Sequence, residues 1–242
     1  MKYTFLFSSL VFFFSCENKP PKGYYSDKSN SPVKIDTITK KVNKKVLKET
    51  KLLTNQNVKQ KLIDFGIKNK EEKVLIRTEL GNIMIRLYKN TPLHRANFLL
   101  LAKRKFFDST IFYRVIRNFM IQGGNSDKNN MLQKMAKIGL YRVPPEINPK
   151  NIHKRGALAM AVQEQFYKDP NKINLSSSPY NFYIIQKGPL TDSYMDKIET
   201  KYNIKIPESN RNIYRKIGGS PHLDNEYTVF GEVISGLSVV DK

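Results

Sequence analysis

The chain has 242 residues, of which 40% are hydrophobic and 11% aromatic, and it carries a formal net charge of +21 at pH 7. That length and apolar content suit one domain with a real core plus a tail, and exclude a globally disordered chain. The cations are mostly Lys spread along the whole sequence among many Asn and Ile, so no nucleic-acid partner is expected; a weak pull toward anionic headgroups or acidic partners is.

The only cysteine rules out an internal disulfide and a thiolate-rich metal site. Its position is informative. Lys2 is followed by an almost wholly apolar or small run from Tyr3 to Ser15, then Cys16, then the polar stretch Glu17-Asn18-Lys19-Pro20. A basic start, a short apolar segment and an abrupt polar switch describe an export signal that is too short for a settled membrane span. Phe13-Phe14-Ser15-Cys16 resembles a bacterial lipoprotein cleavage box. The resemblance implies cleavage before Cys16, lipidation of its sulfur, and a protein anchored in the cell envelope facing the periplasm or the exterior.

Residues 17–73 hold 15 Lys and no Arg against seven acidic residues, a local net of +8. Such a segment cannot bury enough apolar surface to offset its ordering entropy, so a tether is expected there. Within it, Thr54-Asn55 offers capping groups before Val58, Leu62, Ile63 and Phe65, which predicts a short helix near 55–66 leaning on the domain.

The globular pattern begins near residue 74. Val74-Leu75-Ile76 and Ile83 to Tyr88 flank Gly81-Asn82, which reads as a β-hairpin. Thr91-Pro92, a capping residue with Pro at the first helical position, opens a helix over about 92–104 with Leu93, Ala96 and Leu100 on one side. Short β-rich runs follow at 110–122, 156–162, 181–186 and 227–234, punctuated by Gly and Pro. This order predicts a mainly β fold, an antiparallel barrel with a helix across one end. Between Gly188 and Pro221, Thr191 can cap a helix carrying Tyr194 and Ile198, and Pro207 to Lys216 can form a second helix ended by Gly218-Gly219. This insert is either a surface elaboration or a wall of a binding site.

The stretch Thr110 to Asn125, TIFYRVIRNFMIQGGN, carries most information about function. It reads as a strand bearing Arg114, an Asn-containing turn, a second strand with Phe119, Met120 and Gln122, and a Gly-Gly exit. Strand alternation puts Arg114 on the face of Phe112 and Ile116, where a guanidinium wants a carboxylate or a substrate. The stretch resembles the cyclophilin signature, a Phe-His-Arg strand followed by Phe-Met-x-Gln-Gly-Gly. Further segments match that family in order: Thr91-Pro92 to Asn97-Phe98, Gly156 to Ala161, Asn181 to Ile185, and Leu223 to Gly231. The resemblance covers about 74–242.

The resemblance implies a closed antiparallel barrel of about eight strands with capping helices, the last strand being absent here because the sequence stops at Lys242. It also implies peptidyl-prolyl cis-trans isomerisation by a monomer, acting on proline-containing polypeptide segments without metal or cofactor. Arg114 and Gln122 take the catalytic positions. Tyr113, Phe119, Met120, Ala161, Val162, Asn181, Tyr183, His222, Leu223 and Tyr227 take the substrate-binding ones. Among these, Phe119, Met120, Tyr183 and Leu223 form the apolar pocket for the proline ring, while Gln122 and the backbone near Val162 hold the substrate chain.

Four positions depart from the family pattern: Tyr113 stands for His, Val162 for Asn, Asn181 for a Gln that supports the arginine, and His222 for Trp. Two other functions fit the same residues: a non-catalytic module that holds proline peptides as a chaperone, and a basic adhesion lipoprotein using the fold as a scaffold. No histidine sits in a nucleophile setting, so His94, His153 and His222 are read as surface or structural residues.

Overall fold

The computed structural model describes residues 34–37, 52–125, 130–162 and 175–242; for 34–37 only the backbone is described. The export signal, Cys16 and most of the tether lie outside the described residues. Two parts of the expected tether are structured. Lys34–Thr37 forms strand β1, and residues 52–73 run into the core, where Leu53 and Leu62 are buried.

Helix α1 spans Val58–Lys68 and turns Val58 and Leu62 inward. The hairpin follows as β2 (Lys73–Thr78) and β3 (Gly81–Leu87), and α2 covers Pro92–Lys103. The 110–122 run divides into two short strands, β4 (Arg114–Ile116) and β5 (Met120–Gly123), because Asn118 turns the chain at φ 57°. Phe112 precedes β4, outside the strand's alternation, and packs in the main core, whereas Ile116 joins the opposite cluster. Helix α3 (Met131–Ile138) was not anticipated; it buries Met131 and Ile138, seven residues apart and so on the same face of the helix. Strands β6 (Ala157–Met160), β7 (Phe182–Ile185) and β8 (Val229–Ser235) complete the sheet. The insert carries α4 (Asp192–Tyr202) and α5 (Glu208–Ile217), and α6 (Leu237–Asp241) follows β8.

The strands form one antiparallel sheet in the order β1-β2-β3-β8-β6-β7-β5-β4. It curls but does not close: β1 and β4 are its two edges, and no strand among the described residues bridges them. The molecule is an antiparallel half-barrel with helices, the family's barrel without its last strand.

Strand alternation sorts the core into two faces. Leu158, Met160, Phe182, Ile184 and Phe230 point toward α2. There Phe98 lies 5.0 to 5.5 Å from the ring centroids of Phe107, Phe182 and Phe230. Ala157, Ala159, Tyr183, Ile185 and Val229 point the other way, with Met120, into a second cluster that underlies the site. The insert has its own small core of Ile152, Leu190, Met195, Ile198, Ile206 and Tyr214.

Helix capping shows where local sequence suffices. Thr191 caps α4 as expected, its Oγ1 accepting from the backbone of Tyr194 at 3.2 Å. Thr91 makes no such bond at α2. The carboxylate of Glu146 does that job, accepting from the backbone N–H groups of Leu93 and His94 at 2.9 and 2.8 Å. A carboxylate spanning two free N–H groups at the positive end of a helix satisfies them more strongly than a hydroxyl would. Glu146 also binds His94 Nδ1 at 2.7 Å, and His94 Nε2 meets Ser177 Oγ at 3.0 Å. The order Glu-His-Ser resembles a hydrolytic triad, but His94 and Ser177 are both fully buried, so no substrate reaches the hydroxyl. The three residues staple α2 to the 175–180 loop.

Candidate active site

One cross-strand row builds the site. Sheet register places Arg114 opposite Gln122, Gln122 opposite Tyr183, Tyr183 opposite Ala159, and Ala159 opposite Val229. Directly paired residues share a face, so Arg114 and Gln122 stand beside Tyr183 on the side of the sheet away from α2. A cavity of about 450 Å³ opens there, lined by Arg114, Phe119, Met120, Gln122, Ala161, Val162, Asn181, Tyr183, Leu223 and Tyr227. This volume falls in the range of small-ligand sites. Its floor is apolar and its polar groups collect at one side.

That polar side is organised around Gln122. Arg114 Nη1 donates to Gln122 Oε1 at 3.3 Å, and Gln122 Nε2 donates to the hydroxyl of Tyr113. Both ends of the amide are thus committed. Gln122 aims the guanidinium. Burial pushes the Tyr113 phenol above its ordinary pKa, so it stays a neutral partner. Arg114 itself is exposed at the sheet edge. Its surroundings become dry only when a substrate covers it.

Asn181 lines the cavity, but its Oδ1 is buried without a hydrogen-bond partner, so the support expected from it for Arg114 comes from Gln122 instead. Ala161 is likewise committed: its N–H donates to Asn181 O at 2.9 Å and its carbonyl accepts from Ser178 at 2.7 Å. Ten of the twelve site residues expected from the sequence line the cavity. Tyr113 stands behind Gln122. His222 stands behind Phe119, stacked on that ring at 5.7 Å and on Tyr202 at 4.9 Å. Burial lowers its pKa to about 4, so the imidazole is neutral at physiological pH.

Asp224, and His153, read from the sequence as a surface or structural residue, hold the cavity wall from behind. Tyr183 OH lies 3.0 Å from His153 Nε2, and Asp224 Oδ1 accepts from the Nδ1 and the backbone N–H of His153 at 3.0 and 2.8 Å. Their partners come from sequence distances that no local pattern reveals.

The Gln122 geometry yields a first expectation. Gln122→Ala frees the guanidinium to rotate, so turnover should fall about tenfold while KM changes little, since substrate binding rests on the apolar floor. Gln122→Glu, which keeps an acceptor oxygen, should recover most of that loss. Equal loss in both variants would mean that the carboxamide contributes something other than the aim of Arg114.

Residues 73–242 match the family model described as cyclophilin type peptidyl-prolyl cis-trans isomerase/CLD. The chain belongs to the cyclophilin family. A Staphylococcus aureus (strain USA300) protein provisionally named a peptidyl-prolyl cis-trans isomerase is 29% identical over 172 residues, covering 71% of this chain and 80% of its own. A similarly named protein of Staphylococcus haemolyticus (strain JCSC1435) is 28% identical over 176 residues, covering 72% of this chain and 81% of its own. Among solved structures, a Cryptosporidium parvum cyclophilin determined in the presence of the dipeptide Ala-Pro is similar at TM-score 0.44 and 22% identity, over 70% of this chain and 85% of its own. A Hirschia baltica cyclophilin is similar at TM-score 0.45 and 18% identity, over 71% of this chain and 66% of its own. The residues that the family model matches in this cyclophilin run from β2 through α6.

Proposed function

We propose that this cyclophilin accelerates rotation about X–Pro bonds in exported or envelope polypeptides, with Arg114 as the catalytic hydrogen-bond donor. The observation that carries this reading is the guanidinium held by Gln122 in a cavity that also presents the apolar side chains of Phe119, Met120 and Leu223. Amide resonance sets a rotation barrier of about 18–20 kcal/mol, and X–Pro isomers exchange over tens of seconds or longer. A catalyst needs only to favour the twisted amide. As the bond twists, its nitrogen becomes pyramidal and regains a lone pair, to which Arg114 donates. That bond is absent in the planar ground state, so it lowers the barrier without tightening ground-state binding.

The proline ring fits the floor made by Phe119, Met120, Tyr183 and Leu223. Val162, beside the committed Ala161, is the neighbour that supplies backbone groups to hold the substrate chain while the other side rotates. Substrate covering the exposed Arg114 removes water and strengthens the donor. The deciding experiment is isomerisation of a short Ala-Pro peptide followed by a conformer-selective assay. Acceleration above the uncatalysed rate is expected; binding without acceleration would leave only a proline-peptide module.

The exported location rests on the sequence of residues 1–20. No helix among the described residues is long and apolar enough to cross a membrane. Lipidation at Cys16 would place the catalytic domain at the end of a Lys-rich tether on the membrane surface. Cys16→Ser should release the protein into the soluble exported fraction with isomerase activity unchanged. Partition of the Ser variant with membranes, as for the parent, would end the lipoprotein reading.

A further inference from the structure

None of the residues in the 189–221 insert lines the cavity, yet the insert reaches two residues that do. Its backbone is stitched to the chain behind the site. Lys154 and Gly219 form an antiparallel bridge, Arg155 N–H donates to Gly218 O at 3.0 Å, and Ser220 N–H donates to His153 O at 2.8 Å. Gly218, at φ +90°, brings the two ends of the insert together: a Cβ there would lie 2.1 Å from the backbone of Gly188. Only glycine tolerates both that conformation and that approach.

From this anchored base a chain of hydrogen bonds runs to the cavity. Tyr214 on α5 is fully buried, and its hydroxyl donates to Asp224 Oδ2 at 2.5 Å. The other carboxylate oxygen holds His153 through Nδ1 at 3.0 Å, and His153 Nε2 meets Tyr183 OH at 3.0 Å. A carboxylate accepting at Nδ1 assigns the proton to that nitrogen, which leaves Nε2 as acceptor and Tyr183 as donor. Every group in the chain then has one defined direction. A parallel path of stacked rings runs from Tyr202 on α4 through His222 to Phe119.

We propose that the insert shapes the proline pocket from behind, with Tyr214 as a positioning residue that fixes the ring of Tyr183 through Asp224 and His153. The proposal rests on the reading of this cavity as the proline site. It makes the insert neither a bare surface elaboration nor a wall: it is a buttress, and it tunes affinity for the residue in the pocket. Tyr183 touches the proline ring in both the planar and the twisted state. Loosening it weakens binding of both states alike, which raises KM and Kd more than it lowers kcat. That signature separates Tyr214 from Arg114, whose loss lowers kcat.

The test is a double-mutant cycle with Tyr214→Phe and Tyr183→Phe, read as the Kd of an Ala-Pro peptide, with turnover measured in parallel. Each single variant should weaken Kd about three- to tenfold, and the double variant should be no weaker than Tyr183→Phe alone. Multiplying effects, or a Kd for folded Tyr214→Phe within twofold of the parent, would overturn the proposal. Should Tyr214→Phe fail to fold, Asp224→Asn, which removes the charge and keeps the shape, carries the same cycle. Failure of the parent to accelerate isomerisation would strike the proposed function, while the Kd cycle would still judge the relay. An absence of peptide binding by the parent would overturn both.

Discussion

Arg114→Ala should abolish most isomerase activity while leaving the fold and the melting temperature nearly unchanged. Arg114 stands exposed on an edge strand, so truncation opens no cavity and buries no orphaned charge. Loss of one preorganised transition-state donor costs on the order of 10² in kcat. The loss should fall on kcat, with the affinity for an Ala-Pro peptide changed little. Arg114→Lys should recover little, because a compact ammonium lacks the planar fork that lets one group reach both Gln122 Oε1 and the substrate nitrogen. The measurement is kcat and KM on the same peptide, with circular dichroism to confirm folding. Retention of more than about a third of parental activity corresponds to less than about 0.7 kcal/mol of transition-state stabilisation. At that level Arg114 is not the central donor.

Phe98→Ala should have the largest effect on stability. Phe98 is fully buried on α2 and touches Phe107, Phe182 and Phe230, which tie the helix to β7 and β8. Removing the ring loses its transfer free energy and leaves a cavity that three rigid neighbours cannot fill, at about 3–5 kcal/mol. For a domain of this size that is roughly 10 °C in melting temperature. Denaturant unfolding is the direct check. A loss below about 1.5 kcal/mol would show that the neighbours collapse into the gap, contrary to the close packing of interiors. Because β7 carries Tyr183 on its opposite face, the surviving folded fraction should still bind proline peptide.

The sequence alone determined the strands that carry chemistry, because strand alternation is a local property. Arg114, an Asn-containing turn, then Met120 and Gln122 read as two short strands before any partner strand is known, although the alternation that set Phe112 beside Arg114 did not hold. Resemblance then assigned roles, and ten of the twelve residues it named line one cavity. The insert helices were also legible, since Thr191 and Gly218 mark their ends within a few residues.

What only the tertiary structure decided are the interactions whose two halves lie far apart in the chain. Glu146 caps α2 from 52 and 53 residues away, where Thr91 had the local credentials. A hydroxyl adjacent in sequence cannot outcompete a carboxylate that the fold delivers to the same N–H groups. Gln122, rather than Asn181, holds Arg114, since sheet register sets Gln122 directly opposite the arginine. Most of all, the chain from Tyr214 through Asp224 and His153 to Tyr183 spans 10, 71 and 30 residues of sequence at its successive steps. Hydrogen-bond partners at such separations leave no periodic trace in a single sequence, because only the folded sheet brings them within 3 Å of each other.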